Sequence, residues 1–239
     1  MKRTSLHLLF ILLSINAVSA QDFTFGIKGG LNFNSIGELY HYGPRGGNGV
    51  TPSEDTYYTA DKASSYHFGG YLKLNFDYFY FSPEVVYTSL TSNYELALET
   101  SEWTQSNIDI GLFFGYRVFG PVAVYLGPSI SMINDRQLEG NEEKASTPWT
   151  YEKTNLGVGA GLTFQYNRFG IDARYVYGMT KVEHVEIDMV RAKYGTNRGA
   201  MLEYNPSQFI ISATIDLFSF GGEKKKRRSN SNWNDHRNL

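Results

Sequence analysis

Hydrophobic and polar residues alternate without a break from Asn155 to Tyr166. Leu156, Val158, Ala160, Leu162, Phe164 and Tyr166 fall on one face, and Asn155, Gly157, Gly159, Gly161, Thr163 and Gln165 on the other. After a turn at Asn167-Arg168 the pattern resumes. Phe169, Ile171, Ala173, Tyr175, Tyr177 and Met179 then oppose Gly170, Asp172, Arg174, Val176 and Gly178. Period two over this length predicts a hairpin of two strands, because only a strand sends successive side chains to opposite faces. The polar face carries Gly, Thr, Asn and a few charges, not the Lys/Glu coat of a sheet facing water. Small side chains suit the crowded inside of a narrow barrel, so the apolar face points outward and needs a lipid solvent.

The same alternation predicts six more strands: Phe23 to Phe33, Ser65 to Phe76, Phe79 to Ser89, Asn107 to Val118, Val122 to Met132 and Ser207 to Phe218. Pro83, which lacks an N–H, predicts a bulge or a broken ladder in the third strand. Polar stretches at Asn34–Ser64, Leu90–Ser106, Ile133–Lys153 and Lys181–Pro206 alternate with tight turns at Asp77-Tyr78, Phe119-Gly120-Pro121 and Asn167-Arg168. Eight strands of this length cross a bilayer at a tilt. Long and short connections in alternation match outer-membrane barrels, with short periplasmic turns and long extracellular loops. The expected fold is all-β, an eight-stranded antiparallel up-and-down transmembrane barrel over residues 21–220. A soluble lipocalin-like barrel is the structural rival and would invert the two faces.

Lys2 and Arg3, the apolar run Leu8–Ile15 and the small residues Val18-Ser19-Ala20 form a secretory signal peptide over residues 1–20. No later apolar run is long enough for a helical span. Cysteine is absent, which excludes disulfides and thiolate metal sites. Residues 221–239 are a basic, turn-rich tail expected to be disordered in the periplasm, where its cations could meet anionic headgroups. Without signal and tail, 14 basic residues face 22 acidic ones. That balance gives no footprint for nucleic acid. The expected location is the bacterial outer membrane, with its lipid as the first partner and an envelope protein as a possible second.

Phe23, Phe76, Phe79, Tyr116, Tyr166, Phe169 and Phe218 or Phe220 lie at strand ends on the short-turn side, where amphipathic rings form a periplasmic girdle. Strict alternation from Leu217 turns Phe218 and Phe220 inward unless the strand has ended there. The inward charges balance: Lys28, Lys73, Arg117 and Arg174 against Glu84, Asp109, Asp172 and Asp216. A narrow barrel tolerates such charges only when they are paired. Lys73 and Glu84, across a short turn, are one expected pair. The network reads as an electrostatic plug, with a proton or solute path as the alternative.

Candidate chemistry is sparse. His41 and His184 fall in outer loops and His67 near the rim, with Asp61, Ser65 or Glu183 as conceivable partners, but no spacing selects a catalytic set. Glu183-His184-x-Glu186 suits a solvated strand as well as a metal. The GxG run Gly157-Gly159-Gly161 lacks the following helix that a phosphate loop needs. No cofactor is expected. Tyr40, Tyr42, Tyr57, Tyr58, Trp103, Trp149, Tyr151 and Tyr194 in the outer segments are suitable contact residues, or pack on one another.

GIKGGLNFNSI after the signal, FYFSPEVVYTS, FGPVAVYLGPSIS and GVGAGLTFQYNRFGIDARYVYGMT together resemble the PorT-like outer-membrane β-barrel family of Bacteroidota-type bacteria. The resemblance covers nearly the whole mature chain and implies a small barrel in a two-membrane envelope. It carries over no catalytic residue. Two functional classes follow. One is a non-enzymatic barrel acting through its extracellular loops or within an envelope assembly. The other is a small-solute or ion transport barrel, or a lipid-modifying enzyme.

Overall fold

A computed structural model of the protein describes residues 22–42, 56–63, 65–142, 152–195 and 198–220. The signal segment, the basic tail, Trp149 and Tyr151 lie outside them. Among the described residues thirteen strands form: β1 (Asp22–Ser35), β2 (Leu39–His41), β3 (Thr56–Tyr58), β4 (Ala60–Lys62), β5 (Ser65–Phe76), β6 (Phe79–Glu95), β7 (Thr100–Phe119), β8 (Val122–Leu138), β9 (Thr154–Tyr166), β10 (Phe169–Gly178), β11 (Val185–Asp188), β12 (Arg198–Met201) and β13 (Ser207–Phe220). A single helical turn, α1 (Arg191–Tyr194), precedes β12. Eight of the strands close into an antiparallel ring in the order β1, β5, β6, β7, β8, β9, β10, β13 and back to β1. Closure leaves no unpaired edge for lipid to meet.

Three two-residue turns join the ring at its lower end. Asp77 and Asn167 take left-handed backbone angles (φ 45° and 52°), as Gly120 does (φ 48°). Tight hairpin turns require that conformation, and Asp, Asn and Gly tolerate it best. Pro83 leaves a gap on one side only. The β5–β6 ladder skips from Tyr71↔Glu84 to Leu74↔Phe81, while Pro83 stays in register with Leu112 of β7.

The outward set is exposed and apolar around the whole ring: Ile27, Leu31, Phe68, Val85, Phe114, Leu126, Leu162 and Ile171 among others. The inward set is buried and mostly polar. From Phe23 to Phe33 the chain climbs ten residues, which at about 3.3 Å each and a tilt near 40° spans roughly 25 Å. That is the height of the apolar band of an outer-membrane barrel.

Strands β6, β7 and β8 continue past this band, where the sequence pattern predicts loops. Only Leu96–Glu99 separates β6 from β7. The alternation itself does not stop there; its polarity reverses. Below the boundary the outward residues of β6 are Phe79, Phe81, Val85 and Tyr87; above it they are Ser89, Thr91, Asn93 and Glu95. The inward residues change from Glu84 and Thr88 to Leu90 and Tyr94, with Val86 below and Ser92 above as exceptions. In β7 the outward Ile108 and Ile110 give way to Ser106, Thr104 and Glu102, and Trp103 turns inward. Lipid demands an oily outside and water an oily inside, so one continuous strand obeys both rules in turn.

Above the ring a second sheet, in the order β11, β12, β2, β3, is built from the first and fourth outer segments. It encloses a compact apolar core of Leu39, Leu90, Tyr94, Leu96, Trp103, Leu138, Ile187, Met189, Tyr194 and Met201. Trp103 and Tyr194, expected as outer contact residues, are buried in this core. The protein thus has a water-facing cap with a conventional interior on top of a lipid-facing barrel with an inverted one.

β13 contains the one register shift against β1. Gly26 pairs with Asp216 and Phe25 with Phe218, so Leu217 is the extra residue of a bulge. The bulge changes the phase of the alternation. Phe218 and Phe220 therefore face outward, and Phe220 stacks on Phe23 at 4.9 Å between ring centroids. The inward orientation that strict alternation gives these two rings is corrected by this one inserted residue.

Candidate functional site: a closed lumen beneath an outer cap

Glycines and large aromatics from adjacent strands share the narrow interior. A Cβ on Gly26 would lie 2.3 Å from the Tyr71 ring, one on Gly115 2.0 Å from Tyr80, and one on Gly161 2.5 Å from the Tyr125 hydroxyl. Each of these glycines is the direct cross-strand partner of its aromatic. The missing side chains make the space in which Tyr71, Tyr80 and Tyr125 lie flat across the lumen. Phe113 and Tyr125 meet edge-on at 5.3 Å. The alternation marks such glycines as inward, but their pairing with a ring one strand away depends on register and is not visible in the linear chain.

At the centre sits a ring of four charges from three strands. Lys28 of β1 donates to Glu84 of β6 at 3.1 Å and to Asp172 of β10 at 3.3 Å. Arg174, also of β10, donates to both oxygens of Glu84, at 2.9 and 3.1 Å, and lies 3.6 Å from Asp172. All four side chains are less than a tenth exposed. Tyr125 closes the ring: Arg174 Nε donates to its hydroxyl at 2.8 Å, and the hydroxyl donates to Asp172. The Arg174 guanidinium also covers the Phe113 ring at 4.0 Å. Two cations and two anions, each bonded at least twice, meet the condition under which buried charge is tolerable.

The other four expected network members stand elsewhere. Lys73 is not the partner of Glu84. Its ammonium lies over the Tyr71 and Tyr80 rings, 5.3 and 5.4 Å from their centroids. The curvature of the barrel brings Lys28, from the far side of the sequence, closer to Glu84. Asp216 accepts from the Tyr71 hydroxyl at 2.5 Å and from Gln165 at 3.1 Å. Arg117 is exposed at the lower rim, donating to the Asp77 carbonyl at 2.8 Å and to Asn75 at 2.5 Å, so it pins the β5–β6 turn instead of entering the lumen. It lies too near the strand end for an inward direction to mean burial. Asp109 accepts from Thr88 at 2.6 Å and has no place in the four-charge ring.

Small cavities flank the ring. One of about 40 Å³ above it is lined by His67, Thr88, Asp109 and Gln208, and one of about 30 Å³ below it by Lys73, Tyr80, Ser82 and Thr163. A third of about 30 Å³ lies under the cap. Each has room for about two waters, which is far short of a continuous aqueous pore.

The candidate catalytic residues do not converge. His67 is buried between Asn32 (2.6 Å) and Ser212 (2.9 Å). Ser65 donates to Asn34 and to the Thr91 carbonyl. His41 is buried in the cap sheet, while His184, Glu183, Glu186 and Asp61 are exposed. At the lower rim Phe76, Phe79, Tyr116, Tyr166, Phe169 and Phe218 are exposed, and Phe23 is half-buried against Phe220. Phe76, Phe79 and Tyr116 are successive cross-strand neighbours. Phe33, Tyr66, Tyr175, Tyr177 and Phe209 form a matching outward set near the upper rim.

A closed ring of eight strands, apolar outside and ionic within, defines a small outer-membrane β-barrel. The chain belongs to the outer membrane protein beta-barrel domain family, whose model matches residues 19–183. The protein is accordingly located in the bacterial outer membrane. Solved structures with similar architecture include the outer membrane protein OprG of Pseudomonas aeruginosa, at 14% identity, covering 85% of this chain and 98% of that one with a TM-score of 0.47. Neisserial surface protein A is 12% identical, covering 82% and 97%, with a TM-score of 0.42. Ail of Yersinia pestis is 13% identical, covering 84% and 99%, with a TM-score of 0.35. None of the curated proteins matches the sequence.

Proposed function

We propose that the protein is a non-enzymatic, non-conducting barrel that acts outward, displaying its cap to an extracellular ligand or an envelope partner. The observation that carries this is the four-charge ring: Lys28, Glu84, Asp172 and Arg174 satisfy one another across the lumen, and the cavities on either side of them are water-sized. The cap adds a second obstruction, and its Tyr40, Tyr42 and Tyr57 rings cluster at 4.9–5.0 Å with Tyr42 and Tyr57 exposed. The PorT-like affiliation rests on the strand motifs quoted above, and export through a signal ending at Ala20 rests on the N-terminal pattern. In this reading the mature chain starts at Gln21 and the exposed rings at the lower rim sit at headgroup level.

Single-channel recording on the refolded barrel in a planar bilayer tests the proposal. No resolved ion conductance is expected over the range in which water-filled barrels show steps. Stable, stepwise openings would refute the plug and favour the transport alternative.

A further inference from the structure

One row of inward side chains crosses β7, β8 and β9 above the four-charge ring. Asp109 stands opposite Ser131, and Ser131 opposite Asn155. The Asp109 Oδ2 accepts from Thr88, but its Oδ1 is buried without a hydrogen-bond partner among the described residues. The Ser131 hydroxyl stands close enough to act on that carboxyl. Asn155 Oδ1 is also buried and unsatisfied. Asp109 lines the cavity above the charge ring and Asn155 the cavity under the cap. The two spaces share Ser129, Ser131, Val176 and Gln208, so they adjoin along this row.

Arg174 acts on Asp109 from below but is held by the charge ring, so Asp109 has no cation of its own among the described residues. Lys28, Glu84, Asp172 and Arg174 neutralise one another, and none of the described ion pairs includes Asp109. Arg136, higher in the lumen, donates to Gln105 at 2.6 Å. Unfilled acceptors in a polar cavity call for a donor or a cation. Water would satisfy the oxygens but leave the buried negative charge unanswered. A cation answers both. The donors are carboxylate, hydroxyl and amide oxygens, which select a hard ion. A single carboxylate falls short of the six to eight oxygen ligands typical of calcium.

We propose that Asp109, Ser131 and Asn155 hold a sodium-sized monovalent cation at the junction of the two cavities, with water completing its shell. The ion would anchor β7, β8 and β9 just beneath the cap. The inference is independent of what the outer face binds, and its readout differs from conductance.

Equilibrium dialysis with radioactive sodium tests it, using the mature chain refolded in detergent with N-methylglucamine chloride holding ionic strength constant. One retained sodium per barrel is expected. Asp109→Asn should weaken retention by at least about tenfold, and Asn155→Ala measurably. Heat-modifiable gel mobility reports which variants fold; if Asp109→Asn does not, Asn155→Ala and Ser131→Ala carry the comparison. Retention no greater than by empty micelles, or unchanged in the folded variants, would overturn the site in favour of a protonated Asp109 with water. Displacement of sodium by micromolar calcium would overturn the monovalent assignment.

Discussion

Removal of the Glu84 carboxylate is the sharpest test of how the lumen is held together. Glu84 accepts three charge-assisted hydrogen bonds, from Lys28 at 3.1 Å and from Arg174 at 2.9 and 3.1 Å. In Glu84→Gln the volume is kept but the charge is lost, leaving Lys28 and Arg174 to share Asp172, at 3.3 and 3.6 Å. Breaking a buried ion pair by removing one partner costs about 3–5 kcal/mol, mainly because a desolvated charge is left unanswered. The expected loss is therefore near 4 kcal/mol by that rule. In Lys28→Met/Glu84→Gln one cation and one anion leave together, so the double variant should lose clearly less than the sum of its parts. Reversible urea unfolding in phospholipid vesicles, followed by tryptophan fluorescence and heat-modifiable mobility, gives both numbers. The loss should barely change with salt, since buried pairs are weakly screened. A Glu84→Gln loss below about 1 kcal/mol, the range of exposed pairs, would refute the reasoning, as would strict additivity in the double variant.

Leu126→Arg places a charge on the exposed mid-strand face of β8 and should cost about 2–4 kcal/mol in vesicles; no cost there would mean that the face does not meet hydrocarbon. Trp103→Ala empties the centre of the cap core, a loss of about 3–5 kcal/mol for a buried tryptophan. Limited proteolysis should then cut the outer segments faster while the barrel keeps its heat-modifiable mobility. Glu139 accepts from Lys193 at 2.9 Å, and that bond holds its carboxyl below the ordinary value. A depressed carboxyl stabilises the fold above its unfolded pKa, and the contribution disappears as pH falls through the folded one. Lys193→Met should therefore raise the Glu139 titration toward that of a free carboxyl in NMR of carbon-labelled protein; an unmoved curve would deny the contact.

The barrel was legible because lipid and lumen impose opposite demands on alternate residues, and that pattern survives in the linear sequence from Phe23 to Phe33 and from Leu156 to Met179. Strand ends were harder to place. At Ser89 and Ser106 the polarity changes sides while the backbone continues, and a search for oily-out alternation stops there. The cap core draws Leu39, Trp103, Leu138 and Met201 from four separate segments, so no local window contains it. The inward charges were visible as a set, apart from Arg117 at the rim, but their partners were not. Which cation reaches Glu84 is fixed by ring closure and stagger, and these bring Lys28 and Arg174 to it in place of Lys73. The Leu217 bulge adds one residue with no compositional mark, yet it decides which way two rings point.

The strands that outrun the hydrocarbon have a consequence for where the protein can be touched. From Ser89 to Glu95, β6 rises six residues beyond its last oily outward side chains, roughly 15 Å at the same pitch and tilt. The chain therefore carries its own waterline and a pedestal above it. A headgroup layer of roughly 5–8 Å is thinner than that pedestal, so the top of β6 stands clear of the lipid carpet and lifts Ala60, paired with Tyr94, out of it.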